Sequence, residues 1–316
     1  MKNVKKFYTN KKFIVIFIFL LFIVFINLFY LFNFINGEKA KTIGDLKSAT
    51  YYYSKNVQMT LMLNETSVVF LANSYINSGQ LQKAEILLNN AIKRQGLFNH
   101  KPDASHLLKL TLADLYSKQH KYNNAINTYK QIIPYLNDYK LKYTAISELA
   151  YNQIMIKNFT DAKKNLDSVI AYQKEHNIPI YASENYLNLG IWYFNKQEYE
   201  LSEKTYNEIL NFCTVNICSN SHIVATLYNY FNLLVYKKEY DKGISIIKKY
   251  YNPKHFDYMQ NAQINMYLGI LHMFKDNRET ANTYLLDAKM YFQKANFIEG
   301  VNKIDNIANK LRGEKL

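Results

Sequence analysis

The stretch LANSYINSGQLQKAEILLNNA, residues 71–91, decides how the chain folds. Its framework is Ala72, Tyr75, Gly79, Leu81, Ala84, Leu88 and Ala91. A small residue followed three positions later by an aromatic one lies on a single face of a first helix. After a short turn, Leu81, Ala84, Leu88 and Ala91 fall on one face of a second helix. Small side chains let the two helices approach, and large ones fill the space towards the next hairpin. A lone hairpin of this kind cannot bury its apolar face, so copies must stack.

The copies are present. The spacing returns at Ala113, Tyr116, His120, Tyr122, Ala125, Tyr129 and Ile132. It returns again from Ala150 to Val169, from Gly190 to Ile209, from Phe231 to Tyr250, and from Gly269 to Ala288. Six tandem copies resemble the tetratricopeptide repeat (TPR) over roughly residues 44–311, most clearly in 71–91, in LADLYSKQHKYNNAINTYKQI (112–132) and in LGIWYFNKQEYELSEKTYNEI (189–209). Successive copies are 41, 37, 40, 41 and 38 residues apart, longer than the usual TPR period of about 34. The extra residues must extend helices or lie between hairpins. The resemblance implies an all-α, right-handed solenoid of about six hairpins.

The punctuation agrees. Pro102, Pro179 and Pro253 fall in connections, and Pro134 falls just past the core of a second helix. None interrupts a helix core, where proline costs about 3 kcal/mol. Residues 44–53 read as the second helix of a degenerate further unit, with Leu46, Ala49 and Tyr53 in place. Phe297, Val301, Ile304, Ala308 and Leu311 form one apolar stripe, suited to a capping helix.

Ahead of the repeats, residues 13–35 read FIVIFIFLLFIVFINLFYLFNFI, without a charge. Such a helix is about 34 Å long, enough to cross a hydrocarbon core of about 30 Å. Its exit, Asn36-Gly37-Glu38-Lys39-Ala40, offers no clear small-x-small cleavage site. The run therefore reads as an uncleaved signal anchor. Lys2, Lys5, Lys6, Lys11 and Lys12 precede it, against Lys39, Lys41 and Lys47 after it. The positive-inside rule puts the N-terminus in the cytoplasm and the C-terminal domain outside it. The expected organisation is a basic tail (1–12), a transmembrane anchor (13–35), a linker with a half-repeat (36–63), six repeats (64–296), and a capping helix and tail (297–316).

Composition narrows the function. The chain has 316 residues with only 9 Gly, 4 Pro and 2 Cys, which excludes collagen-like, disulfide-scaffold and zinc-finger classes. The seven His are scattered, and no HExxH, GxSxG, phosphate loop or calcium loop occurs. The expectation is a non-enzyme with no metal, no cofactor and no small-molecule substrate. His272 stands where a packed aromatic belongs and reads as structural. The net charge of +14 includes five lysines of the N-terminal tail, and only three of the 39 basic residues are Arg. No dense basic stripe with interleaved aromatics appears, so a nucleic-acid partner is not expected. Cys213 and Cys218 could pair as a local disulfide in an oxidising compartment, or remain two unrelated thiols.

TPR domains usually receive peptides or partner segments along the inner face of their first helices. Carried over, that face includes Asn73, Asn77, Asp114, Lys118, Tyr151, Met155, Ile191, Asn195, Tyr228, Asn232, Tyr236 and Phe274. It is apolar and aromatic with interspersed Asn, suited to a hydrophobic protein segment. The alternative is that these residues are core. The expected role is a scaffold or adaptor, chaperone-like or for assembly, anchored in a bacterial inner membrane with the solenoid outside the cytoplasm. A cytoplasm-facing assembly factor and an accessory subunit of an envelope enzyme complex are the other readings.

Overall fold

The computed structural model describes residues 2–98, 105–180, 183–216 and 218–312. Among these, no strand occurs and the chain forms fifteen α-helices. The first is α1 (Lys2–Ile43), paired with α2 (Leu46–Met59). Six hairpins follow: α3 (Glu65–Asn77) with α4 (Leu81–Phe98), α5 (His106–Lys118) with α6 (Tyr122–Ile132), and α7 (Tyr139–Met155) with α8 (Phe159–Glu175). Then come α9 (Glu184–Asn195) with α10 (Tyr199–Val215), α11 (Asn220–Tyr236) with α12 (Tyr240–Tyr250), and α13 (Tyr258–Phe274) with α14 (Arg278–Lys294). Helix α15 (Ile298–Arg312) packs on α14. Pro134 sits in a short 3-10 turn, Ile133–Tyr135, beyond α6. Pro102 and the tail 313–316 lie outside the described residues, as do the side chains of 1–13 and of Leu311.

Local chemistry fixes the helix ends. Asn64, Asp138, Ser183, Ser219 and Asp257 cap first helices through their side chains, and Asp45, Asn158 and Asn277 cap second helices. Each such cap contributes about 1 kcal/mol. Every turn within a hairpin closes the same way. Gly44, Gly79, His120, Lys157, Gln197, Lys238 and Asp276 are left-handed, with φ between 55° and 79°. The next residue's N–H then reaches back to a carbonyl five positions earlier, as Asn158 does to Gln153 (2.8 Å) and Glu239 to Leu234 (2.9 Å).

The framework residues form the core. Ala72, Leu88, Ala91, Ala113, Ala125, Ala150, Ala162 and Leu166 are fully buried. Where glycine replaces alanine the helices come closer. A Cβ on Gly190 would lie 2.5 Å from the Tyr206 ring, and one on Gly37 would lie 2.5 Å from the Tyr53 ring. Polar ties join neighbouring hairpins, including Asn188 Nδ2 to Ser147 O (3.1 Å) and Trp192 Nε1 to Phe159 O (3.1 Å).

The Gly37–Tyr53 contact exposes a feature of the N-terminus. No break occurs at residue 36: α1 runs on to Ile43, and its last turns serve as the first helix of a complete further hairpin. Asn33, Gly37 and Ala40 face inward, while residues 14–25 are exposed. Residues 14–43 form one helix long and apolar enough to cross a membrane. At the far end the chain returns to its beginning. Leu46 N–H donates to Ala295 O (3.4 Å), Asn296 Nδ2 donates to Asp45 (3.1 Å), and Gly79 abuts Glu299 and Phe297. The last hairpin thus lies against the turn edge of the first two.

Candidate functional site

The curvature of the array leaves a cavity of about 830 Å³ walled by α3, α5, α7, α9 and α11, the first helices of five consecutive hairpins. Seven of the sequence-derived groove residues line it: Asn73, Asn77, Asp114, Lys118, Tyr151, Ile191 and Tyr228. Leu110 and Leu187 add apolar floor, and His120 and His222 stand at its margins. Tyr151 is half-buried there, and burial pushes its hydroxyl pKa up to about 12. It therefore stays a neutral donor with an apolar ring face.

The other five lie elsewhere. Met155 packs on the large core of the C-terminal hairpins. Asn195 donates to Ile191 O of its own helix, 2.9 Å away. Asn232 is half-buried outside the cavity lining. Tyr236 meets Phe194 and Tyr199 with ring centroids 6.0 and 4.8 Å apart, and Phe274 stacks on Tyr240 at 5.2 Å. All but Asn232 sit in the last turn of a first helix, and none of the five lines the cavity.

The structure adds a set of acids that the helix-by-helix transfer passed over. Glu148 on α7 and Glu184 on α9 line the same cavity as Asp114 on α5. Burial, reinforced by the charges of Asp114 and Glu184, holds Glu148 well above the usual carboxylate range. Asp114 is raised as well, by burial first and then by Glu184, although the Tyr129 hydroxyl donates to it and Lys118 pulls the other way. Asp114 is exposed to the cavity yet surrounded by protein, so its charge is poorly solvated. Among the described residues, no group of three or more His, Cys, Asp or Glu is arranged to hold a metal ion. The cluster instead offers hydrogen-bond acceptors to an organic cation.

Two further sites resolve simply. His272 is 8% exposed and stacks on Tyr284 at 5.5 Å, and neither ring nitrogen has a partner among the described residues. Burial lowers its pKa and keeps the ring neutral, as a packed aromatic should be. Cys213 and Cys218 are joined in a disulfide between α10 and α11, with Cα atoms 5.3 Å apart.

Against this geometry, no protein-family model matches the chain, and no curated protein sequence matches it. Solved structures do. A tetratricopeptide repeat protein from Parabacteroides merdae is 15% identical with a TM-score of 0.53, covering 88% of this chain and 99% of that one. A Rap protein complexed with Competence and Sporulation Factor is 11% identical with a TM-score of 0.59, covering 92% and 87%. The Cut9–Hcn1 assembly of APC/C is 14% identical with a TM-score of 0.52, covering 85% of this chain and 48% of that one. The fold is that of a TPR solenoid behind one apolar N-terminal helix.

Proposed function

We propose that the protein is a membrane-anchored TPR adaptor whose cavity captures a partner segment carrying apolar side chains beside a lysine or arginine. The supporting observation is the cavity: five first helices surround an apolar floor, and three of them contribute Asp114, Glu148 and Glu184 to one acidic patch. Three carboxyls beside a single Lys118, in a chain of net charge +14, oppose the charge of the rest of the molecule. An ammonium or guanidinium entering the patch would offset the repulsion among these carboxyls and favour the ionised forms of Asp114 and Glu148. Tyr151, Ile191 and Leu187 would hold the neighbouring apolar residues. The structurally similar Rap protein is complexed with Competence and Sporulation Factor, and capture of a partner is the use proposed here.

Residues 13–35 anchor the solenoid, with the basic tail in the cytoplasm and the repeats on the extracytoplasmic face of a bacterial inner membrane. The lysine asymmetry and the Cys213–Cys218 disulfide support this side. The role is scaffolding or chaperone-like assembly of envelope or secreted proteins. The test is fluorescence anisotropy of the full chain in detergent micelles with labelled peptides of matched apolar content. Lys- or Arg-containing peptides should bind and acidic ones should not. Asp114→Asn with Glu148→Gln should weaken the basic peptides selectively. Equal binding of both kinds, or binding indifferent to the two substitutions, overturns the reading.

A further inference from the structure

The turn between α2 and α3 stands beside the apolar part of α1, and its composition matches that position. Tyr30 Oη lies 3.1 Å from Ser67 Oγ, Asn56 Nδ2 donates to Tyr30 O (3.2 Å), and the Gly37 backbone rests on the Tyr53 ring. These contacts set α2 antiparallel to α1 and place residues 60–63 near the level of Ile26. Ile26 is accordingly the first residue along the exposed part of α1 to be partly covered.

The lengths then conflict with a solenoid held clear of the bilayer. From Ile14 to Phe25 the uncovered helix is about 18 Å long, against about 30 Å of hydrocarbon. The missing length must come from the part of α1 that α2 and the turn already cover. That covered part is built for it. Between Lys55 and Glu65 there is no charge, and the sequence reads Asn56-Val57-Gln58-Met59-Thr60-Leu61-Met62-Leu63-Asn64. Lys55 lies level with residues 31–35, where the uncharged run of α1 itself ends. Glu65 turns back into the solenoid, where it accepts from Leu108 N–H at 3.1 Å. In the turn, Met62 packs on the N-terminal core while Leu61 and Leu63 are 58% and 48% exposed. Above them, Tyr51 and Tyr52 sit with Phe32, and the Lys55 ammonium lies over the Tyr51 ring at 5.3 Å. Aromatics and a snorkelling lysine above an apolar tip form the usual arrangement at a lipid–water boundary.

We infer that the turn Thr60–Leu63 inserts into the lipid bilayer beside α1, so that the solenoid is seated on the membrane surface by two contacts, not tethered by one flexible stalk. This rests on the reading that α1 spans the membrane. The continuous helix through Ile35 to Ile43 transmits that seating to the first hairpin without a hinge.

The experiment uses the full chain in phosphatidylethanolamine–phosphatidylglycerol vesicles containing lipids with a doxyl quencher near the headgroup or deep in the chain. The native Trp192 is replaced by Phe, and single tryptophans are placed as Phe22→Trp, Leu61→Trp, Leu63→Trp or Leu286→Trp, each checked for helicity by circular dichroism. Phe22→Trp reports the span, and Leu286→Trp on α14 reports the aqueous side. The inference predicts that Leu61→Trp and Leu63→Trp shift to the blue and lose most of their emission to the shallow quencher. Phe22→Trp should respond to the deep one and Leu286→Trp to neither. Quenching of Phe22→Trp without either turn position overturns the insertion and leaves the span standing. Absence of quenching at Phe22→Trp overturns the span and the insertion together.

Discussion

Gly190 and Tyr206 offer a direct test of the packing rule that generates this solenoid. A methyl at Gly190 would lie 2.5, 3.0 and 3.2 Å from three ring atoms of Tyr206, whose side chain is 1% exposed and has no free space to enter. Overpacking of that kind costs about 1–3 kcal/mol. Replacing glycine by alanine inside a helix returns about 1 kcal/mol. The net expectation for Gly190→Ala is a loss of about 0–2 kcal/mol. Tyr206→Leu alone leaves part of the ring volume empty and costs about 1–3 kcal/mol. The double variant, however, recreates the pairs Ala72–Leu88 and Ala150–Leu166, whose four residues are all buried in neighbouring hairpins. It should therefore be more stable than the sum of the single changes by about 1–2 kcal/mol, within the range for touching residues. Repeat arrays unfold in segments, so native-state hydrogen exchange of the α9 and α10 amides is the appropriate assay. Additive effects, with a coupling below about 0.5 kcal/mol, would refute the reasoning that the small residue and its partner sixteen positions later set the helix approach as a unit.

Other consequences are equally specific. Lys157, Gln197 and Lys238 are exposed and hold φ of 62°, 63° and 59°; glycine at each should stabilise its hairpin by about 0.5–1 kcal/mol in the same exchange experiment, since a left-handed side-chain-bearing residue costs about 1–2 kcal/mol. Because the Glu148 pKa is raised on folding, the stability linked to it is complete below its ordinary value of 4.5 and is lost as pH rises above that. Glu148→Gln should thus leave the melting temperature unchanged at pH 4 and raise it at pH 8, measured by circular dichroism. Reducing the Cys213–Cys218 bond should destabilise the α10–α11 connection by about 2 kcal/mol, from the entropy of so short a loop. Native protein should resist alkylation at both sulfurs until reductant is added.

The repeat framework was legible because its period is local: a small residue, an aromatic and a fixed turn length recur whatever surrounds them. The left-handed turn residue was not, since His120, Lys157 and Gln197 carry no glycine signal and adopt that conformation only because both helices continue beyond it. Residues 36–43 looked like a linker because Glu38, Lys39 and Lys41 end the apolar run, yet a helix continues wherever nothing breaks it. Gly37, sixteen positions before Tyr53, is the signal that marks the extra hairpin. The groove was half legible. Asn77 and Lys118 line the cavity from the ends of α3 and α5, whereas Met155, Tyr236 and Phe274, at the ends of α7, α11 and α13, pack on adjacent elements. Ser147 on α7 is 2% exposed beneath Asn188. Glu148 beside it faces the cavity instead, and Glu184 lies one turn before Leu187. Only the assembled array brings Asp114, Glu148 and Glu184 together. The sequence clue was acidic residues on three successive first helices of a basic chain.

Site-specific photocrosslinking in native membranes tests the adaptor reading most directly. A benzophenone side chain replaces Ile191 in the cavity, with another at Leu286 on the outer face as its counterpart. After irradiation, mass spectrometry identifies the attached segment. The account predicts that Ile191 captures a discrete protein segment with a Lys or Arg close to the crosslinked residue, that Glu148→Gln weakens this capture, and that Leu286 captures nothing in common with it. Attachment at Leu286 alone, or capture at Ile191 that is indifferent to Glu148 and to basic residues, would contradict it.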